Sequence, residues 1–315
     1  MKKWILLLAI LFIASFLLIG YSIPRQLFIN RILNVKSNGN ATSRVLTNTK
    51  HIEGWWPDSV HLSKSKNRTS FFYKGFSFLF KRINDNNISA QIVKQGDTLN
   101  GNIRINKLAT GGNAINWSCN QPTKNNLLTN ILYYRRAQKI SKAINGLMQA
   151  IKEYSEDTTR LYGYAIKLEK LTNEIITVCK QTVPTADQYH QIELNFKTTI
   201  AYILKQNLKV TGNYMVAIHT LNNDSVNIMT GIPTQTCGPE EGNINYMQMP
   251  PQGHMVTVMY KGLYKHRDRA YIAMEQFIGD NDLSKISLPF ERLINNHLPK
   301  SDTAFVELKL YYPVF

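Results

Sequence analysis

The sequence predicts an α+β protein with two antiparallel sheets in two successive domains. Short apolar strands separated by Asn-, Gly- and Asp-rich turns fill residues 69–121. A long helical pattern follows at 126–157, where apolar residues recur every three or four positions. Strand and helix patterns then alternate twice up to the C-terminus. At 315 residues the chain is too long for one ordinary core, which favours two domains.

The charge composition points to an anionic partner without naming one. Lys and Arg number 37 against 21 Asp and Glu, for a net charge of +16. Such an excess suits phospholipid headgroups or nucleic acid, or it forms a solvated basic surface. The basic residues are scattered, and no nucleic-acid-binding motif accompanies them, so no nucleic acid partner is predicted.

The three cysteines predict neither a disulfide framework nor a metal site. Cys119, Cys179 and Cys237 are widely spaced, and the sequence has no CxxC pair or Cys/His cluster. We therefore expect buried free thiols as the default, with Cys237 the most exposed of the three. No metal and no other cofactor is predicted.

The first 23 residues predict a membrane anchor. In "MKKWILLLAILFIASFLLIGYSIP" an uninterrupted apolar run covers residues 4–23, which is long enough to span a bilayer as a helix. A cleaved signal peptide is the alternative. Lys2 and Lys3 favour an N-terminus in the cytoplasm, with the rest of the chain on the periplasmic side, although further basic residues follow the run.

Residues 24–170 predict the first domain. Its opening strand, "RQLFINRILNVKSN", has apolar residues at Leu27 and Ile29 and, after a slip, at Ile32. A short helix and a loop with paired tryptophans come next, then the strands, then the helix at 126–157.

This order, with "ATSRVLTNTKHIEGWW" after the first strand, resembles the helix-grip fold of the SRPBCC superfamily, which includes START and polyketide cyclase-like proteins. The resemblance implies a cavity for an apolar ligand between the sheet and the long helix. Trp55 and Trp56 either line the mouth of that cavity or close the core, and both interpretations remain open. No catalytic constellation is evident in this domain.

Residues 174–315 predict the second domain as a duplicated strand–helix–strand arrangement. The strand "EIITVCKQTVP" precedes a helix that begins near Thr185, and "GNYMVAIHTLN" with "SVNIMTGIPTQT" predicts a hairpin. The order then repeats, with a helix expected from Tyr264 to Ile278. Three segments resemble the GyrI-like small-molecule (effector) binding domain: "YMQMPPQGHMVTVMYKGLYKHRDRAYIAMEQFI", "PFERLINNHLP" and "VELKLYYPV".

The GyrI-like resemblance implies an aromatic cup with a carboxylate that receives cationic ligands. The family carries that Glu four residues before the proline of the closing strand, and this sequence has Lys309 there. Glu307 lies two residues earlier, on the same face of the strand. Either Glu307 substitutes, or Lys309 shifts the preference to an anionic or neutral ligand. The candidate cup aromatics are Tyr214, Tyr246, Tyr260, Tyr264, Tyr271 and Tyr311.

The resulting hypothesis is a membrane-anchored, non-enzymatic protein that binds small hydrophobic or amphipathic molecules. Two alternatives belong to other classes. The first is a module that binds a protein partner, as gyrase inhibitors do. The second is a small-molecule hydrolase, with Glu307 as general base and Tyr264 as proton relay. The hydrolase requires Glu307 within hydrogen-bond reach of a tyrosine hydroxyl, and it fails if Glu307 faces solvent.

Overall fold

The computed structural model describes two compact units of an α+β chain. The described residues are Trp4, Leu11, Ser15, Pro24 and the ranges 26–58, 63–65, 68–94, 96–122, 127–170, 173–222, 224–249 and 253–315. The units are Met1–Leu161 and Tyr162–Phe315. Each contains one antiparallel sheet with helices, which confirms the predicted fold class. The domain ranges given above, 1–23, 24–170 and 174–315, stay predictions.

The first unit is a seven-stranded sheet in the order β1-β7-β6-β5-β4-β3-β2. The long helix α3 packs on β1 and β7, α1 packs on β4, β5 and β6 near the middle of the sheet, and α2 packs against α1 and α3. The elements are β1 (Gln26–Val35), α1 (Gly39–Thr47), α2 (Thr49–Trp55), β2 (Ser63–Ser65), β3 (Arg68–Tyr73), β4 (Phe76–Asn84), β5 (Asn87–Lys94), β6 (Asp97–Lys107), β7 (Asn113–Pro122), α3 (Leu127–Ser155) and α4 (Thr158–Tyr162).

Strand β1 lacks the predicted slip. It pairs with β7 in unbroken register from Gln26 to Val35. Leu27 and Ile29 are buried, whereas Ile32 is 63% exposed. The prediction for Ile32 was wrong because an apolar side chain on the outer face of an edge strand is tolerated and need not mark the core.

The second unit is an eight-stranded sheet in the order β12-β9-β11-β10-β14-β15-β13-β8. Two helices, α5 and α6, pack on one face of it, which we call the helix face. The elements are β8 (Lys167–Lys170), β9 (Ile175–Pro184), α5 (Gln188–Lys205), β10 (Met215–Thr220), β11 (Ser225–Thr234), β12 (Ile244–Gln248), β13 (His254–Leu263), α6 (Asp268–Asp280), β14 (Phe290–Leu293) and β15 (Phe305–Val314).

Both helices of the second unit begin later than the sequence predicts. A 3-10 turn, Thr185–Asp187, precedes α5, and another, Tyr264–His266, precedes α6. In each case the strand leads directly into the turn, so the chain changes direction before the α-helical hydrogen bonds start.

The predicted membrane localisation is contradicted. Within the described residues no helix has the length and apolar character needed to cross a bilayer, a requirement of about 20 consecutive residues. Of the proposed span at 4–23, only Trp4, Leu11 and Ser15 belong to the described part. This finding corrects the predicted localisation, which was single-pass attachment through residues 4–23 with the remainder on the periplasmic side.

Candidate functional site

The sheet of the second unit has to curve strongly. Strand β8 lies at one edge, and β9 lies next to the other edge. Only residues 171–174 join them, so Lys170 and Ile175 can be at most about 18 Å apart. In a flat sheet the six intervening strand spacings would separate β8 from β9 by about 29 Å. The short connection therefore forces the two edges toward each other.

The face opposite the helices is concave and carries its own apolar cluster. Ile176, Val178, Met215, Met255 and Phe290 are all buried there, together with Ala217 and Met249. No residue of a described helix belongs to this cluster. Side chains on a face without a helix become buried when the sheet curls around them. We call this surface the concave face.

Methionines are concentrated on the concave face. Strand register and packing place six of the chain's nine methionines there: Met215, Met229, Met247, Met249, Met255 and Met259. Methionine is unbranched and polarisable, so it fills irregular space and adapts to different neighbours. A sheet face built from it can change shape around a guest molecule.

Two adjoining hollows lie on the concave face. The apolar hollow, of about 480 Å³, is lined by Ala217, Met229, Met247 and other residues. The charged hollow, of about 200 Å³, is lined by two carboxylates and three basic side chains, as well as Tyr311. Both hollows share three lining residues: Met249, Met255 and Phe290. The site is therefore an apolar space that continues into a charged end.

Ion pairs organise the charged hollow. Lys309 Nζ donates to Glu169 Oε2 at 2.7 Å. Arg292 forms an ion pair with Glu174, with Nη1 lying 3.3 Å from Oε1. Burial is the largest single influence and lowers the pKa of Lys309, but the hydrogen bond to Glu169 and the interactions with Glu169 and Tyr311 together outweigh it, so the pKa is raised. Lys309 therefore stays protonated at neutral pH.

An aromatic pair lies beside the two basic groups, since Phe290 is opposite Tyr311 and Arg292 is opposite Lys309 in the β14–β15 register. The rings of Tyr311 and Phe290 stack in parallel, with centroids 4.8 Å apart and planes within 5°. Lys309 Nζ and the Arg292 guanidinium carbon lie 5.1 and 5.2 Å from the Tyr311 centroid. Both cations are within the range of cation–π attraction. The end of the hollow thus presents a flat aromatic surface flanked by positive charge.

Of the three predicted site residues on the closing strand, two line the charged hollow and one lies outside it. Lys309 and Tyr311 line the charged hollow. Glu307 is on the same face but is exposed, and it forms an ion pair with Lys261. Glu307 therefore neither replaces the family's carboxylate in the hollow nor contacts a tyrosine hydroxyl. Under the condition set for it, the hydrolase alternative fails.

The other five predicted tyrosines lie on the helix face. Tyr214 stacks on Phe196, and the Tyr246 hydroxyl lies 2.6 Å from that of Tyr202. Tyr260 donates to the carbonyl of Leu263 at 2.6 Å. The Tyr271 hydroxyl donates to Glu291 Oε1 at 3.5 Å, and Tyr264 lies near the same carboxylate. All five belong to the core between sheet and helices: Tyr214, Tyr246, Tyr260, Tyr264 and Tyr271.

A buried ion pair lies at the strand-to-helix corner near Tyr264. Arg267 Nε donates to Glu291 Oε1 at 2.5 Å, and the guanidinium lies 3.7 Å from the centroid of the Tyr264 ring. Burial raises the pKa of Glu291, and the charge of Arg267 opposes that rise. Burial, reinforced by Glu291, also raises the pKa of the Tyr264 hydroxyl. The aromatic face and the carboxylate here already hold a cation that belongs to the chain.

Trp55 and Trp56 lie in the core of the first unit. They are 2% and 6% exposed, and their indole nitrogens donate to the carbonyls of Val45 and Phe72, both at 2.8 Å. A hollow of about 790 Å³ in this unit is lined by residues of α1, α2, β3, β4 and β5. No residue of α3 is among its described lining, in contrast to the predicted cavity beside the long helix.

Several residues of the candidate site were not predicted. Sequence reasoning did not predict most of the side chains that line the two hollows as ligand-binding residues. These are Met229, Met247, Met249, Met255, Phe290, Arg292, Glu169 and Glu174. Two signals were available. Met247 and Met249 are two apart, which places them on one face of a strand, and Phe290 and Arg292 alternate with Glu291 in the same way.

Comparisons with known proteins leave the family open. No protein-family model matches the chain, and no curated protein sequence matches it. The solved C-terminal domain of EcmrR is 22% identical and aligns over 48% of this chain and 98% of that one, with a TM-score of 0.37. A hydrolase from Listeria innocua is 12% identical over 48% and 91%, with a TM-score of 0.36. An AHSA1-like protein from Rhizobium etli is 10% identical over 42% and 84%, with a TM-score of 0.30.

These neighbours include the EcmrR C-terminal domain and an AHSA1-like protein. The identities are below 25% and the TM-scores below 0.5, so the likenesses assign no activity to this chain. Membership of the two families named above stays a prediction.

Proposed function

We propose that the concave face of the second unit binds a small apolar or amphipathic molecule. The observation that supports this proposal is the apolar hollow of about 480 Å³ that continues into the charged hollow. Its volume is within the range of ligand sites, which are mostly apolar with a few polar groups that orient the ligand. The arrangement suits a molecule with an apolar body and one polar end.

The methionine lining supports a guest that is held by contact area. Met249 and Met255 are 7% and 5% exposed and form the floor, while Met229 and Met247 are half-buried against them. Half-buried methionines can close over a ligand and bury further apolar area, at roughly 25 cal/mol per Å². The hollow in the first unit, by contrast, includes Lys81, Arg82 and several Thr and Ser side chains in its lining.

Binding of the neutral fluorescent probe N-phenyl-1-naphthylamine tests this proposal. The full chain should bind it saturably, and the double variant Met229→Gln, Met247→Gln should bind it about 10-fold more weakly. The reason is that an amide placed in an apolar site without a partner costs about 1–3 kcal/mol. Fluorescence titration measures both dissociation constants, and circular dichroism checks that the variant is folded.

A matched control comes from the same sheet face. Met259 is 62% exposed and does not line either hollow, so Met259→Gln should bind the probe within about 2-fold of the unmodified chain. The proposal is contradicted if the probe does not bind saturably, or if the double variant binds it as well as the control does.

A further inference from the structure

Two of the three basic groups of the charged hollow, Arg292 and Lys309, form ion pairs with carboxylates from one short stretch of chain. Glu169 is on β8, and Glu174 immediately precedes β9, so both carboxylates come from residues 169–174. The two pairs differ in burial. The Arg292 and Glu174 side chains are 18% and 25% exposed, whereas Lys309 and Glu169 are 26% and 37% exposed. The Lys309–Glu169 pair is the more accessible to solvent.

The lining of the two hollows has an excess of positive charge. The described lining residues include four basic side chains, Lys170, Lys180, Arg292 and Lys309, against the two carboxylates Glu169 and Glu174. An anion that enters this space meets a favourable field, and a cation meets an unfavourable one. The two carboxylates neutralise only half of the positive charge of the four basic side chains.

We propose that the ligand is an anionic amphiphile whose carboxylate or sulfonate binds Lys309 in place of Glu169. This inference rests on the proposed function, since the apolar body of the ligand would occupy the apolar hollow. Glu169 then acts as an internal competitor that holds Lys309 in position until the ligand arrives. Arg292 remains paired with Glu174 and adds positive charge beside the Tyr311 ring.

The exchange is physically easy at Glu169. Its pair with Lys309 is partly exposed, and such pairs contribute little to stability because water screens them. Strand β8 has four residues and pairs with β13 at the edge of the sheet. A ligand anion keeps the charge-assisted hydrogen bond of Lys309 and adds the burial of its apolar body, which Glu169 does not provide.

Displacement of the bound N-phenyl-1-naphthylamine probe by three ten-carbon compounds tests the head-group preference. Decanoate, decanol and decylamine share an apolar chain and differ in charge. Decanoate should displace the probe from the unmodified full chain at a concentration at least 10-fold lower than decylamine, with decanol between them. Equal potency of decanoate and decylamine, or a preference for decylamine, overturns the proposal.

Variants locate the head group. Lys309→Met should weaken decanoate about 10-fold or more and leave decanol within about 2-fold, because only the charged head group loses a partner. Glu169→Gln should strengthen decanoate about 3-fold or more by removing the competitor. Lys261→Met is the matched control, since Lys261 lies on the same face but pairs with Glu307 outside the hollows.

The outcomes separate this inference from the proposed function. If decanol displaces the probe but Lys309→Met does not weaken decanoate, the anionic head group is wrong and binding in the apolar hollow stands. If Lys261→Met weakens decanoate as much as Lys309→Met does, the effect is general charge and the inference is overturned. If the unmodified chain does not bind the probe, both proposals fail together.

Discussion

Replacing Arg267 by methionine is expected to lower the free energy of unfolding of the second unit by about 3–5 kcal/mol at neutral pH. The Arg267 and Glu291 side chains are only 16% and 6% exposed. The variant leaves the Glu291 carboxylate buried without its positive partner, which is the costly way to break such a pair. Denaturant unfolding followed by circular dichroism measures the loss. The unfolding transition followed by tryptophan fluorescence should be unaffected, because all four tryptophans precede residue 162 and therefore report on the first unit.

The same variant should show a distinctive pH dependence. Burial already raises the pKa of Glu291, and loss of Arg267 removes the main influence that lowers it. Between the unfolded pKa near 4.5 and the raised folded pKa, the folded state binds more protons than the unfolded state. Stability therefore falls as pH rises through that window. The loss in Arg267→Met should be smaller at about pH 4.5 than at about pH 7.5.

An exposed pair on the other face provides the control. Lys261 and Glu307 are 67% and 44% exposed, so Lys261→Met should change the free energy of unfolding by less than about 1 kcal/mol. An Arg267→Met variant as stable as Lys261→Met would show that the corner does not depend on its buried pair. A loss that grows toward acidic pH would contradict the assignment to Glu291.

Replacing Trp56 by alanine should destabilise the first unit by about 3–5 kcal/mol. The indole packs against five aromatic rings, those of Trp55, Phe71, Tyr73, Phe78 and Phe80, with centroids 5.2–6.3 Å away. Its nitrogen also donates to the carbonyl of Phe72. The variant leaves a cavity and an unpaired carbonyl. The fluorescence of the remaining tryptophans follows unfolding of this unit.

The neighbouring strand supplies the matched substitution. Phe72 is 45% exposed, and its side chain points away from the Trp56 cluster, so Phe72→Ala should cost less than about 1 kcal/mol. Comparable losses for Trp56→Ala and Phe72→Ala would argue against a core position for Trp56. They would favour the interpretation in which the tryptophans line an opening.

The sequence predicts the elements of the second unit well because their periodicity is local. Alternation identifies β9, β10, β11, β13 and β15, and the three-to-four spacing identifies α5 and α6. The helix starts shift by three or four residues, since the 3-10 turns at Thr185 and Tyr264 continue the same apolar pattern. Lys309 and Tyr311, both predicted as ligand-binding residues, line one hollow because they are two apart on one strand.

The sequence does not tell which face of each strand is which. In β13 both Met255 and Val256 are buried, because one faces the curled sheet and the other faces α6. When a strand is apolar on both faces, its sequence pattern does not indicate which face packs against the helices and which is the concave face. Tyr260 and Tyr311 are both strand tyrosines, yet they lie on opposite faces. For this reason five tyrosines were grouped with Tyr311, although they lie on the helix face and Tyr311 lies on the concave face.

By itself, the sequence determined the α+β class and the order of strands and helices. It also determined that Lys309 and Tyr311 share one face of a strand. Each of these depends on residues that are close along the chain. The curvature of the second sheet was decided only in three dimensions, where the short 171–174 connection draws its edges together. That curvature brings methionines together around Phe290 and Tyr311. They come from four strands and from the segment that follows β12. It also brings Glu169 to Lys309 across 140 positions of sequence. Local patterns carry no information about such contacts, because they arise from the closure of the whole sheet.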